Sequence, residues 1–294
     1  MRTVALDATP DVALTARDVA VLAESIDTRN WLDQHAAAPE AVRRGLMLDH
    51  RYADGLAMVS SAIPFSHFNM VLTLGCPAVA GPEALEAIDR FYAASPAGRH
   101  WILVNDHSEP QELGQQLTQR GYVESDAWDR VVLRGPREDI WRPHALGCEI
   151  VGDRNVEDWI NFLLKCYGMP QLVGEWLRAL VGRSGWIHAL RRENGRRDGP
   201  VVMVRSLFHA GGWAWLGIDA PIPGVMAPCF DDDRAVVSAL LCEAAGLGAH
   251  SFVSDIEVAS PTRSGPQYRY WNELGFEAIY LRRVFVKPNG GRAA

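Results

Sequence analysis

Apolar positions along this chain follow two rhythms, one with helical spacing and one alternating or continuous, and the same order of rhythms occurs twice. In the first half, Val19, Leu22, Ala23 and Ile26 recur one turn apart behind Thr15, whose hydroxyl suits a helix start. A second helix is predicted after Pro39, with Val42, Leu46 and Met47 as its apolar positions. Residues 55–60 and 68–74 read as strands, the latter stopping at Gly75. Leu85, Ile88 and Tyr92 make the stripe of an amphipathic helix from Pro82. A short buried strand follows at 101–104, and Ser108 with Pro110 opens a helix predicted to run to Arg120. The second half repeats this order. Helices are predicted at 156–167 and 175–181, a hairpin at 186–190 and 201–208, a strand at 213–218, a helix at 233–247 and a strand at 251–258.

Each half closes in the same way. Residues 264–286, SGPQYRYWNELGFEAIYLRRVFV, read as a helix, a stop at Gly275 and a β-branched strand. Glycine there can take the left-handed conformation that ends a helix, and Phe276 can fold back on the last turn. About 150 residues earlier, LGQQLTQRGYVESDAWDRVVLRG shows the same unit, with a stop at Gly121-Tyr122 and a strand through Val131, Val132 and Leu133. Repetition on this scale predicts two copies of one α/β fold. The stretch GPREDIWRPHALG, rich in proline, glycine and charge, places the junction between domains 1–140 and 141–294.

Composition narrows the class. The chain has 294 residues, enough for two cores of about 140 residues each. A hydrophobic share of 48% with 22% charged residues is that of a soluble globular protein, and a net charge of −7 gives no prior for DNA or an anionic membrane surface. Cys76, Cys148, Cys166, Cys229 and Cys242 are odd in number and widely spaced, which predicts reduced thiols rather than a disulfide frame or a metal site. The N-terminus lacks the apolar core of a signal peptide and no apolar run reaches transmembrane length, so a cytoplasmic protein is expected.

The segments WLGIDAPIPG, RAVVSALLCEAAGLG and YWNELGFEAIY resemble the GNAT acyltransferase superfamily. The first half is similar to the degenerate N-terminal lobe of tandem GNAT proteins, through FSHFNMVLTLG, IDRFY and LTQRGYV. The resemblance implies two tandem GNAT-like domains, each a central mixed sheet flanked by helices, with the C-terminal lobe as the active or ligand-binding one. It further implies an acyl-CoA co-substrate and no permanently bound cofactor. The pantetheine arm would lie on the splayed strand 213–218, at Leu216 and Ile218, and the pyrophosphate on the next helix start, at Arg234 and Ala235.

Two departures stand out. The segment PCFDDDRA, residues 228–235, lacks both glycines of the family's phosphate loop, and Asp231, Asp232 and Asp233 fall where phosphates would lie. Aspartates at a helix start can occupy the free N–H groups and repel a phosphate. In active relatives a tyrosine five residues before the aromatic of the Gly-Phe pair protonates the leaving thiolate. Here Trp271 stands in that place, and its indole cannot deliver a proton, which leaves Tyr270, with Tyr268 nearby, as the candidate acid.

The residues themselves suggest further roles. Asp255 and Glu257 alternate along the strand beside the splayed one and are the candidate general bases. Asp219 ends the splayed strand and suits an amine, while Trp213 and Trp215 share a strand face and could wall a substrate cleft. The turn RRENGRRDG gathers Arg191, Arg192, Arg196 and Arg197, either as a solvated hairpin tip or as an arm reading a CoA phosphate, an acyl-carrier protein or an RNA backbone. His188, His209 and His250 are scattered, Cys229 has no histidine partner, and no metal-ligand set emerges. The leading expectation is an N-acyltransferase moving an acyl group from a thioester or ester donor to an amine of a small molecule. The alternatives are a transferase of natural-product biosynthesis whose donor is an aminoacyl-tRNA or an acyl-carrier protein, and a non-catalytic binding protein of the same fold.

Overall fold

Thr15 begins the first helix through a reciprocal capping box with Asp18: each residue's side chain accepts from the other's backbone N–H. The computed structural model describes residues 14–96, 98–135, 147–196, 198–257 and 259–287. The expected domain junction at 140/141, Arg197 and Val258 lie outside the described residues. Two compact units form. The N-terminal unit gathers Leu14–Arg130, Asp255–Ala259 and the chain from Ile279, and the C-terminal unit gathers Val131–Ser254 and Ser260–Ala278.

The N-terminal unit contains α1 (Ala16–Ala37), α2 (Glu40–Gly45), β1 (Asp49–Ala53), β2 (Leu56–Ser60), β3 (Met70–Val71), α3 (Pro82–Ala93), β4 (Trp101–Asn105), α4 (Leu113–Gln119) and most of β5 (Val123–Arg134). The last strand of the chain, β11 (Glu277–Val286), supplies most of its length to this unit and pairs antiparallel with β4, from Arg282–Asn105 to Val286–Trp101. The strand order is β1-β2-β3-β4-β11-β5. Alternation along the strands separates two apolar faces, one holding Met58, Val71, Ile102 and Phe285 with Leu85, Ile88 and Leu117, the other holding Val59, Met70, Leu103, Trp128 and Val284. The edge strand β1, Asp-His-Arg-Tyr-Ala, was not predicted because it is largely exposed and has no apolar alternation to read.

The C-terminal unit contains β6 (Cys148–Ile150), α5 (Val156–Tyr167), α6 (Gln171–Arg178), β7 (Trp186–Arg192), β8 (Val201–Ala210), β9 (Trp213–Ala220), α7 (Phe230–Gly246), most of β10 (Ser251–Ile256) and α8 (Pro266–Glu273). Its strand order is β10-β9-β8-β7-β6. All pairs are antiparallel except β9 with β10, which are parallel and joined through α7 as a βαβ crossover. The echo read in the sequence is structural. Gly121 has φ +84° and Gly275 φ +90°. Tyr122 N–H returns to the Leu117 carbonyl at 3.1 Å, and Phe276 N–H to the Trp271 carbonyl at 2.9 Å. Among the described residues no helix is long and apolar enough to cross a membrane.

Candidate functional site

The C-terminal unit opens along one edge of β9. Its parallel ladder with β10 runs through Trp213–Ser251, Ala214–Phe252 and Trp215–Val253 and then ends, although β9 continues to Ala220. Ser254 Oγ still donates to the Leu216 carbonyl at 3.3 Å. Residues 217–219, just beyond, are the part of β9 that is not fully buried. On the other edge of β9 the register with β8 passes from Ser206–Gly217 to Val204–Ala220, so Arg205 alone faces both Ile218 and Asp219. This two-against-one arrangement is a β-bulge, a device that re-aims backbone groups. Ile218 has φ +45°, a conformation that costs a branched residue on the order of 1–3 kcal/mol and persists only where its surroundings hold it.

The restraint comes from a buried cluster. Arg205 Nε donates to Asp233 Oδ1 at 2.8 Å, and its Nη2 donates to Asp233 Oδ2 at 3.1 Å and to Asp219 Oδ2 at 2.8 Å. The Tyr270 hydroxyl donates to Asp233 Oδ2 at 2.5 Å, and the Trp271 ring lies 5.7 Å from the guanidinium carbon. Arg205 and Asp233 side chains are 4% and 0% exposed, Asp219 19%. Burial opposes the charge on Arg205, but Asp219 and Asp233 more than offset it and the group stays protonated. Burial pushes the Asp233 carboxyl up while Arg205 and Tyr270 pull it back down. Tyr270 is held well above the usual phenol range, first by burial and then by Asp233. Its proton is therefore retained and directed at Asp233. A second tether holds the bulge from α5, where the Tyr167 hydroxyl donates to the Asp219 carbonyl.

The aspartates at the start of α7 behave differently from a simple cap. Asp233 turns inward to Arg205, Asp232 accepts from Arg191 Nε at 2.7 Å, and Asp231 is exposed. Among the described residues none of the three side chains bonds a backbone N–H of the helix. Arg234 pairs with Glu273 and lies 5.4 Å from the Tyr270 ring centroid, and Ala235 is half-buried. The first turn thus carries two carboxylates matched to arginines, one exposed carboxylate and no glycine.

The sequence matches no family model and no curated protein. Solved structures match its fold. A GCN5-related N-acetyltransferase from Kribbella flavida superposes with a TM-score of 0.58 at 14% identity, over 94% of this chain and 98% of its own. A tandem GNAT protein from the clavulanic acid biosynthesis pathway gives 0.50 at 14% identity, over 95% and 98%. A functionally unknown conserved protein from Staphylococcus epidermidis gives 0.50 at 8% identity, over 82% and 94%. The chain has the tandem GNAT fold. At such identities the likeness concerns fold and not substrate.

The GNAT resemblance implied a splayed strand at 213–218, and the ladder between β9 and β10 parts within that range. Leu216 is buried at the last point of contact and Ile218 sits in the bulge. Trp213 and Trp215 are buried at 3% and 9% exposure, and the Trp215 indole lies over Gly217, where an added Cβ would come within 2.6 Å of Nε1. Cys229 donates weakly to the Pro221 carbonyl at 3.6 Å, and burial first, then Asp233, push its thiol up to about 11, the wrong direction for a nucleophile. The described arginines of the polar turn are all paired: Arg191 with Asp232, Arg192 with Glu149 and Asp158, and Arg196 with Asp198.

Asp255 and Glu257 group with the N-terminal unit. Asp255 lies in a second buried ion set. Arg130 Nε stands 3.1 Å from Asp255 Oδ1, and Arg130 Nη2 donates to Asp27 Oδ2 at 2.9 Å. Arg282 Nη1 donates to Asp255 Oδ2 at 3.0 Å, its Nη2 reaches Glu24 at 3.3 Å, and the Tyr280 hydroxyl donates to Glu24 Oε1 at 2.6 Å. Sequence reading missed Arg205, Arg130 and Arg282 as site-forming residues. A signal was present: each arginine interrupts an apolar β run, VVMVRSLF, WDRVVL and YLRRVFV, where a buried charge needs an acidic partner.

Proposed function

We propose that the C-terminal unit is an N-acyltransferase that passes an acyl group from a thioester or ester donor to the amine of a small molecule. The observation that carries this reading is the parting of β9 from β10 beside a bulge whose residues 217–219 are partly exposed. The donor's acyl arm would lie along the free β9 edge at Leu216 and Ile218. Backbone N–H groups re-aimed by the bulge would stabilise the oxyanion as the amine attacks the carbonyl; collapse of that intermediate breaks the donor's C–S or C–O bond, and the thiol or alcohol leaves with the proton the amine gives up. Asp219 uses one carboxylate oxygen on Arg205, and the other would anchor the acceptor's ammonium before it loses its proton. Tyr270 fixes Asp233 by donating to it, and Asp233 in turn fixes Arg205. Amide formation needs little more than alignment of the reacting groups and this oxyanion support.

The residues present fit an acyl thioester arm better than they fit a free diphosphate. The start of α7 has no glycine, and its carboxylates already occupy Arg191 and Arg205. That observation favours, as a second reading, a donor recognised through its thioester arm and borne by an acyl-carrier protein. The paired state of Arg191, Arg192 and Arg196 favours an RNA-borne donor less, because phosphate binding would have to break these pairs.

One experiment separates the readings: calorimetric titration and thiol-release assays with acetyl-CoA and acetyl-pantetheine, against a panel of small amines. Equal affinity for the two donors is expected if the thioester arm alone is read. At least tenfold tighter binding of acetyl-CoA, about 1.4 kcal/mol, would mean that a diphosphate site exists and the carrier-borne reading is wrong. An absence of acyl transfer from either donor, and from an acyl-carrier protein, to every amine would overturn the acyltransferase assignment.

A further inference from the structure

Arg205 occupies a position that the chemistry of an opening strand makes decisive. It is the single β8 residue opposite the two bulged residues of β9, and its guanidinium does not point to solvent. Asp233 from α7 grips it at 2.8 and 3.1 Å, Tyr270 from α8 holds Asp233, and Trp271 from α8 flanks it. The guanidinium is therefore fixed from two helices, independently of β9. From that fixed point Nη2 takes the Asp219 carboxylate at 2.8 Å. Asp219 follows Ile218, the β9 residue with φ +45°. A branched residue leaves that conformation readily unless its neighbour is pinned, and sliding by one residue would restore regular pairing and reverse the faces of the strand end.

Resting on the acyl-transfer reading, we propose that Arg205 is a positioning residue: through Asp219 it locks the bulge, and so sets the direction of the Ile218 and Asp219 backbone N–H groups that receive the oxyanion. The planar fork matters more than the charge. One guanidinium spans Asp233 and Asp219 in fixed directions, and a lysine ammonium, as a single compact donor, cannot hold both at these angles. Tyr167 supplies the weaker restraint, on the Asp219 carbonyl.

The test compares Arg205→Lys and Tyr167→Phe with the wild type by amide hydrogen exchange and by steady-state acyl transfer. Arg205→Lys should speed exchange at residues 217–220 tenfold or more while α5 and α6 keep their protection. It should lower kcat by about 10²-fold, the loss typical of one misplaced oxyanion donor, with donor KM within about threefold. Tyr167→Phe should shift both readouts in the same direction and by less. Fast exchange throughout the unit, with kcat and KM changing together, would mean that Arg205 only supports the fold, and the proposal falls. Faster exchange at 217–220 with unchanged kcat would also overturn it. If the wild type transfers no acyl group to any amine, the acyltransferase reading fails, and the exchange data still decide whether Arg205 locks the bulge.

Discussion

The two units contain the same strand–helix–strand opening and treat it in opposite ways. In the N-terminal unit β3 and β4 pair at Met70–Trp101 and Val71–Ile102 and then part, as β9 and β10 do. There the gap is filled by the chain itself. Glu109 N–H donates to the Gly75 carbonyl and Ala80 N–H to the Glu109 carbonyl, both at 2.8 Å. Thr73 Oγ1 bridges Ala57 N–H and the Gly55 carbonyl at 2.9 and 2.8 Å, which takes over from the ladder beyond β3, while a single 3-10 turn at Ser66–Phe68 replaces the start of the expected strand. In the C-terminal unit the corresponding stretch of β9 is bulged and partly exposed. A backbone whose polar groups are already satisfied has nothing to offer a ligand, whereas one left without a ladder partner does. The comparison gives the first opening a structural role and agrees with the binding role proposed for the second.

Each unit also buries arginines against a surplus of carboxylate. One cluster sets Arg205 against Asp219 and Asp233, with Tyr270 donating to Asp233; the other sets Arg130 and Arg282 against Glu24, Asp27 and Asp255, with Tyr280 donating to Glu24. In the first, Asp219 stays partly exposed at the bulge. In the second, all five charged side chains are 9% exposed or less. The second cluster therefore reads as a structural hub of the N-terminal unit, joining α1, β5, β10 and β11.

Removing one buried cation tests that hub most severely. Arg130→Met should cost about 3–5 kcal/mol in urea unfolding, because it strands buried carboxylates. A loss below about 1 kcal/mol would show that the ion set is not tightly coupled. Next, Gly75→Ala would place a Cβ 2.7 Å from the Glu109 carbonyl oxygen at φ +80°. It should cost about 2 kcal/mol or more, and leave donor binding in the C-terminal unit unchanged. Altered donor affinity would break the assignment of separate roles. Ile218→Gly removes the penalty of the left-handed conformation, so stability should hold or rise by about 1 kcal/mol, yet acyl transfer should fall as the bulge loosens. Activity at the wild-type level would separate the bulge from catalysis.

The subtlest effect is a pH dependence. Burial pushes the Asp255 carboxyl up to about 6, with Asp27 and Glu24 adding to the shift and Arg130 and Arg282 opposing it. The folded state therefore binds a proton more readily than the unfolded chain, whose carboxyl titrates near 3.8. Asp255 contributes its stability below that value and loses it as pH rises through about 6. Asp255→Asn should thus cost more stability at pH 4.5 than at pH 7, measured by urea midpoints. An equal cost at both values would show that Asp255 does not titrate in this window.

Elements whose physics is local can be read along the chain alone. Thr15 with Asp18 set the start of α1, Gly121 and Gly275 set two helix stops, and the apolar runs at 186–190, 201–208 and 213–218 set three strands. The repeated helix–Gly–aromatic–strand unit disclosed the doubling, and the resemblance carried by 215–224 and 270–280 pointed to the GNAT fold that the solved structures match. The remaining features depend on residues distant in sequence and emerge only when the chain folds. The tertiary structure placed Asp233 on Arg205 and Asp232 on Arg191, so that the acidic run is no helix cap. It set Asp255 between two arginines of the N-terminal unit, and it brought the chain from Ile279 to pair with β4. A capping box or a glycine stop is written in neighbouring residues. The partner of a buried charge is fixed by which strands and helices meet, and no local pattern records that.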